Sequence, residues 1–84
     1  MPDRPPESEE LILRKRRIFA RNLKRAREEA NLTQEQLINK TGLTQGYISN
    51  LENGRKTVSL DNASLLAAAV GQPLCKLLSS SEEP

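Results

Sequence analysis

Five polar side chains, Gln34, Gln45, Tyr47, Ser49 and Asn50, stand where helical spacing turns them away from Leu37, Ile48 and Leu51. A carboxamide carries a donor and an acceptor side by side, and that pair can hydrogen-bond one adenine in two places. Hydroxyls add further donors, and Arg55 and Lys56 follow with fixed positive charge. The chemistry within reach is recognition: hydrogen bonds to base edges, with cations left to hold phosphate oxygens. Bond-making chemistry has little to start from. The chain has no histidine, its one cysteine, Cys75, has no evident basic partner, and no phosphate-binding glycine loop or carboxylate pair stands out. An enzyme is not expected and no cofactor is called for. One cysteine without histidine leaves neither an internal disulfide nor a donor set for a structural metal.

Rigid elements must hold those side chains. Thr33 and Thr44 each open a short amphipathic segment as N-cap candidates, and Gln36, three residues after Thr33, completes a capping box. Gly42 falls where the first segment must end and the chain must turn. Leu37 can then share one core with Ile48 and Leu51. Two short helices around a glycine turn form a helix-turn-helix, which lays its second helix in the major groove of duplex DNA.

The rest of the chain reads as further helix around that pair. Residues 1–8 are acidic and proline-rich and predict a disordered tail, residues 9–79 a single domain, and residues 80–84 a second disordered tail. Ser8 before Glu9 and Glu10 predicts an N-cap with acids at the positive end of a long first helix. Ile12, Phe19, Leu23, Ala26 and Ala30 recur on one face of it, and Arg14, Arg17, Arg21, Lys24 and Arg25 lie roughly opposite. Leu11 and Ile18 fit neither stripe. Asn31 suits the left-handed residue that ends this helix, and Leu32 anchors the turn that follows. The third helix is predicted from about Gln45 to Asn53, with a stop at Gly54. Ser59 or Asp61 caps a fourth, which carries Leu60, Ala63, Leu66, Ala67 and Val70 on one side and ends at Gly71. Pro73 suits the first turn of a fifth, Leu74 to about Ser79. The architecture implied is all-α: a compact five-helix domain.

Composition sets the bounds. A content of 36% hydrophobic and 2% aromatic residues predicts a core of leucine, isoleucine and alanine. The net charge of +2 hides an asymmetry, because twelve basic and five acidic residues fall between Leu11 and Ser81, a local charge of +7. That part suits a polyanionic partner and salt-sensitive binding. No stretch approaches the run of about 20 apolar residues that crosses a bilayer, and the N-terminus lacks the order of a secretion signal, so a cytoplasmic location is expected.

Three segments carry a resemblance: Leu32–Leu37 (LTQEQL), Gly42–Ser49 (GLTQGYIS) and Leu51–Lys56 (LENGRK). In this order and spacing they resemble the Cro/Xre family of phage-repressor-like regulators, which also includes restriction-modification controller proteins and antitoxins. The likeness runs from about Phe19 to Leu78. It implies a lambda-repressor-like domain with base contacts from Gln45, Ser49 and Asn50 at the start of the third helix. It implies backbone contacts from Gln34, Thr44, Asn53, Arg55, Lys56 and Thr57, and a structural salt bridge between Arg27 and Glu52. Tyr47 either donates to a phosphate or packs on the motif. Two positions depart from the family pattern: Ile38 stands where alanine is usual, and Gly46 where a contacting side chain is usual.

The expected function is a sequence-specific double-stranded DNA-binding transcriptional regulator, a homodimer on a pseudo-palindromic operator, acting by occupancy with no small-molecule effector. The alternative is an antitoxin that binds a partner protein and autoregulates through DNA. The dimer is expected through the C-terminal helices with Leu65, Leu74 and Leu78 at its interface and Leu11 and Ile18 as further candidates.

Overall fold

Five α-helices account for the ordered backbone of residues 5–80, the part of the chain that this computed structural model describes. They are α1 (Pro6–Glu29), α2 (Gln34–Thr41), α3 (Gln45–Glu52), α4 (Leu60–Val70) and α5 (Leu74–Leu78), with no strand among the described residues. The expected tails fall partly on residues 1–4 and 81–84, outside the described residues.

Each helix ends for a local reason. Thr33 Oγ1 accepts from the Gln36 N–H at 3.1 Å while Gln36 Oε1 accepts from the Thr33 N–H at 2.8 Å, the reciprocal box expected for α2. Thr44 Oγ1 accepts from the Tyr47 N–H and caps α3. Of the two candidates for α4, Ser59 is the cap, accepting from the Asn62 N–H. Asn31 takes the left-handed conformation, φ 59°, that closes α1. There the Leu32 N–H reaches the Arg27 carbonyl and the Asn31 N–H reaches that of Glu28, so two otherwise orphaned carbonyls are satisfied.

One helix start differs from the sequence expectation. α1 begins at Pro6, not at Ser8, and has no side-chain cap. Proline at the first helical position loses nothing, because its missing N–H would have had no partner there. α5 starts at Leu74 as expected, with Pro73 just outside it as the N-cap.

The core is aliphatic, as the composition predicts. Leu23, Leu37, Ile48, Leu51, Leu66 and Leu77 are fully buried and join Phe19, Ala26, Ala63, Ala67 and Val70 in one cluster. Burial of each large side chain contributes about 1.5–3 kcal/mol. α1 lies across α3, α4 and α5, and α2 packs on α3 and α4. Ile38 is half-buried against this cluster, so its extra bulk over alanine is absorbed by the core. Three apolar assignments fail. Ala30 and Leu60 are exposed because each sits at a helix end, where the apolar face runs out past its neighbours. Ile18 is buried, 6% exposed, and so belongs to the interior of this chain and not to a second contact surface.

Candidate nucleic-acid interface

The outward face of α3 follows from which of its residues are inside. Ile48, Leu51 and Glu52 are buried, which at 3.6 residues per turn leaves Gly46 and Asn50 at the centre of the opposite side. Gln45 and Ser49 flank that line on one edge and Tyr47 on the other. Gln45 is exposed and Ser49, Asn50 and Tyr47 are half-buried, so the three base-edge candidates share one accessible strip of helix. Gly46 adds no side chain to it, and a Cβ there would meet nothing within 4 Å.

The chain leaving α3 is held as firmly as the helix. Gly54 adopts φ 71°, its N–H donating to the Leu51 carbonyl at 3.1 Å and the Arg55 N–H to that of Asn50 at 2.9 Å. This double closure fixes where Arg55 and Lys56 depart. Asn53 is the C-cap, and its Nδ2 donates to the Ser49 carbonyl at 2.8 Å. Arg55, Lys56 and Thr57 are all exposed beside the α3 strip. Arg16 of α1 donates through Nε to Thr57 Oγ1 at 3.0 Å, so the first helix braces this loop. The bracing joins residues 41 positions apart, and no local pattern announces it.

Behind the strip, Arg27 and Glu52 form the expected salt bridge, Nε to Oε2 at 2.7 Å and Nη2 to Oε1 at 3.1 Å. Arg27 Nη1 also donates to the Leu32 carbonyl at 2.8 Å. The hydrogen bond to Glu52 is the first of the causes that raise the Arg27 pKa, outweighing the opposite effect of burial. Gln34 Nε2 donates to the same carboxylate at 3.0 Å, so Glu52 ties α1, α2 and α3 together. Gln34 is thus half-buried, with one amide hydrogen committed to structure. The first turn of α3 is held from the other side by Asn62, whose Nδ2 donates to Tyr47 Oη at 3.0 Å. Lys56 Nζ stands 5.8 Å from the centre of the Tyr47 ring. Tyr47, which the sequence left between donating to a phosphate and packing on the motif, packs against the core and accepts from Asn62.

Of the dimer candidates, Leu65 and Leu78 are 50% and 49% exposed, and Leu11 is 53% exposed. Leu74 is half-buried against the core cluster and offers only part of its side chain. Leu11 and Leu78 line one apolar groove with Ile12, Phe19 and Val58. Leu77 is buried within the chain. Among the described residues no group of histidine, cysteine, aspartate or glutamate could hold a metal, and no helix is long and apolar enough to cross a membrane.

Two short capped helices, the second presenting a polar strip beside a basic loop, define a helix-turn-helix domain. The helix-turn-helix family profile matches residues 23–77. An uncharacterized HTH-type transcriptional regulator of Sinorhizobium fredii, y4dJ, is 34% identical over 68 residues, 81% of this chain and 88% of that one. With these matches the chain belongs to the helix-turn-helix family of Cro/Xre type. The structure of the restriction-modification controller protein C.AhdI from Aeromonas hydrophila is similar with a TM-score of 0.70 and 32% identity, covering 74% of this chain and 94% of that one. A hypothetical transcription factor from Neisseria, NHTF, has a TM-score of 0.77 and 28% identity, covering 98% of this chain and 88% of that one.

Proposed function

We propose that this protein is a sequence-specific regulator of transcription that binds duplex DNA as a two-fold homodimer, reading bases with Gln45, Ser49 and Asn50 of α3. The observation that carries the reading is the pairing of an accessible polar strip on a rigidly capped helix with the exposed cations Arg55 and Lys56 on a loop closed at Gly54. Base-edge donors on a fixed helix give specificity, and the adjacent cations give register on the phosphates. Transcriptional regulators and a restriction-modification controller among its relatives support the same reading.

One such helix spans only a few base pairs, so specific affinity calls for two, placed about one turn of DNA apart. The exposed Leu65 and Leu78 at the C-terminal helices supply the apolar surface for that pairing. The homodimer occupies a pseudo-palindromic operator in the cytoplasm. Selection of bound duplexes from a random pool tests this directly. Enriched sequences should contain two inverted half-sites about 10 base pairs apart, centre to centre. Recovery of unenriched sequence, with binding that depends on salt alone, would remove the proposal.

A further inference from the structure

We infer that Asn62 is a positioning residue for DNA binding: its carboxamide aims the Tyr47 hydroxyl at a backbone phosphate in the cleft beside α3. The inference rests on the DNA-binding reading above and adds a residue to it. Asn62 Nδ2 donates to Tyr47 Oη at 3.0 Å, so the phenol oxygen is the acceptor of that bond and its own hydrogen must be directed elsewhere. Among the described residues the hydroxyl donates no hydrogen bond of its own. The hydroxyl stands in a cleft lined by Gly42, Thr44, Gly46, Asn50 and Lys56 together with Tyr47 and Asn62. The one charged side chain in that lining is Lys56, a cation, so the cleft suits an anion. Gly46 leaves its floor clear, since even a Cβ there would touch nothing.

The backbone that carries Asn62 is held before any ligand arrives. Its N–H donates to Ser59 Oγ, the cap of α4, which places the side chain in the first turn of one helix facing the first turn of another. A phenol held in this way loses little freedom when it donates to a phosphate, and preorganised donors of this kind favour binding. Without Asn62 the phenolic C–O bond is free to rotate its hydrogen away, and the ring loses the tie that sets its angle.

A double-mutant cycle tests the assignment, with Tyr47→Phe, Asn62→Ala and their combination titrated against an operator duplex recovered by the selection above. Tyr47→Phe should weaken binding about tenfold, the scale of one lost hydrogen bond to a charged group. Asn62→Ala should weaken it about threefold or more in the parent and not at all in the Tyr47→Phe background. The chain has a single tyrosine and no tryptophan, so ultraviolet emission reports on Tyr47 alone. Duplex should alter that emission in the parent and alter it less in Asn62→Ala. Losses that add across the cycle would overturn the inference, as would a second loss on adding Asn62→Ala to Tyr47→Phe. Asn62→Ser, too short to reach the phenol, replaces Asn62→Ala if the latter lowers the melting temperature into the assay range. Absence of any duplex preference in the parent protein would instead remove the DNA-binding reading. Selective parental binding with an additive cycle removes only the role of Asn62.

Discussion

Arg27 of α1 and Glu52 of α3 meet side-on, with two N–H donors on two carboxylate oxygens, and their side chains are only 11% and 3% exposed. A pair this far from water is costly to half-remove, because the remaining charge stays buried without its counterion. Glu52→Ala should therefore destabilise the domain by about 3–5 kcal/mol, read from urea unfolding. Replacing both partners by apolar residues of similar volume, Arg27→Met with Glu52→Leu, should cost clearly less. The loss in Glu52→Ala also strands the Gln34 carboxamide, which bonds the same carboxylate. An unchanged midpoint in Glu52→Ala would show that the three helices are held by packing alone.

The same pair makes a prediction about pH. Arg27 has a raised pKa in the folded chain, first through its hydrogen bond to Glu52 and then through Coulomb attraction to Glu52 and Glu28. A group whose folded pKa exceeds its unfolded value stabilises fully below the unfolded pKa and loses that contribution only as pH climbs through the folded one. Both values lie in strong alkali, since arginine is effectively always protonated. Between about pH 6 and pH 9, the double replacement Arg27→Met with Glu52→Leu, which leaves no unpaired carboxylate inside, should differ in stability from the parent by a constant amount. A gap from the parent that widens or narrows across that range, measured by chemical unfolding, would contradict the assignment.

Gly46 separates fold from recognition. It lies within the first turn of α3 with φ outside the left-handed region, and an added Cβ meets no protein atom within 4 Å. Gly46→Ala should stabilise the domain by up to about 1 kcal/mol, because alanine loses less backbone freedom in a helix. The residue also sits at the centre of the outward face, so the methyl group enlarges the surface proposed to meet DNA. A higher melting temperature with weaker operator binding is the expected pair of results. Stabilisation with unchanged affinity would show that the backbone does not approach the duplex closely there.

Where sequence foretold structure, the interactions were local. Thr33 with Gln36, Thr44 before Tyr47, Gly42 after Thr41 and Asn31 after Ala30 are each decided within four residues, and the structure has them as read. Arg27 with Glu52 spans 25 residues and was legible only through resemblance to a family. Asn62 on Tyr47, Arg16 on Thr57 and Asn22 on the end of α5 were not legible. Each is one polar side chain reaching across 15 to 57 residues, and nothing in its own neighbourhood distinguishes it from a solvated one. Burial at helix ends misled for a related reason. Periodicity places Leu60 and Ala30 on the apolar side of their helices, but it carries no information on where the facing helix stops.

Asn22 is the most connected of these long-range polar residues. Its Nδ2 lies within 2.6 Å of the Ser79 carbonyl and 3.0 Å of the Leu77 carbonyl, so an α1 side chain closes the C-terminus of α5. α5 is five residues long, too short to hold itself together. Asn22→Ala should cost about 0.5–1.5 kcal/mol, since the exposed Ser79 carbonyl can bond to water in place of the lost amide. Because Leu78 belongs to the last turn of α5, the same change should weaken the dimerisation proposed above, seen by sedimentation as a higher concentration needed for the dimer. A destabilised chain with parental self-association would place the dimer contact away from α5.

Base reading and phosphate holding make different demands on salt, and the two groups of residues at this interface should separate on that axis. Arg55 and Lys56 are exposed cations, and a phosphate neutralised by such a cation releases counterions. Arg55→Ala or Lys56→Ala should weaken operator and random duplex alike and reduce the log–log salt slope by about 1. Gln45 and Asn50 carry no charge, so their alanine variants should leave the slope unchanged and lose about 1–3 kcal/mol of discrimination at particular base pairs. Anisotropy titrations of operator and scrambled duplex over a range of salt concentrations measure both quantities together. Equal losses on the two duplexes for all four variants would mean that the α3 strip grips DNA without reading it.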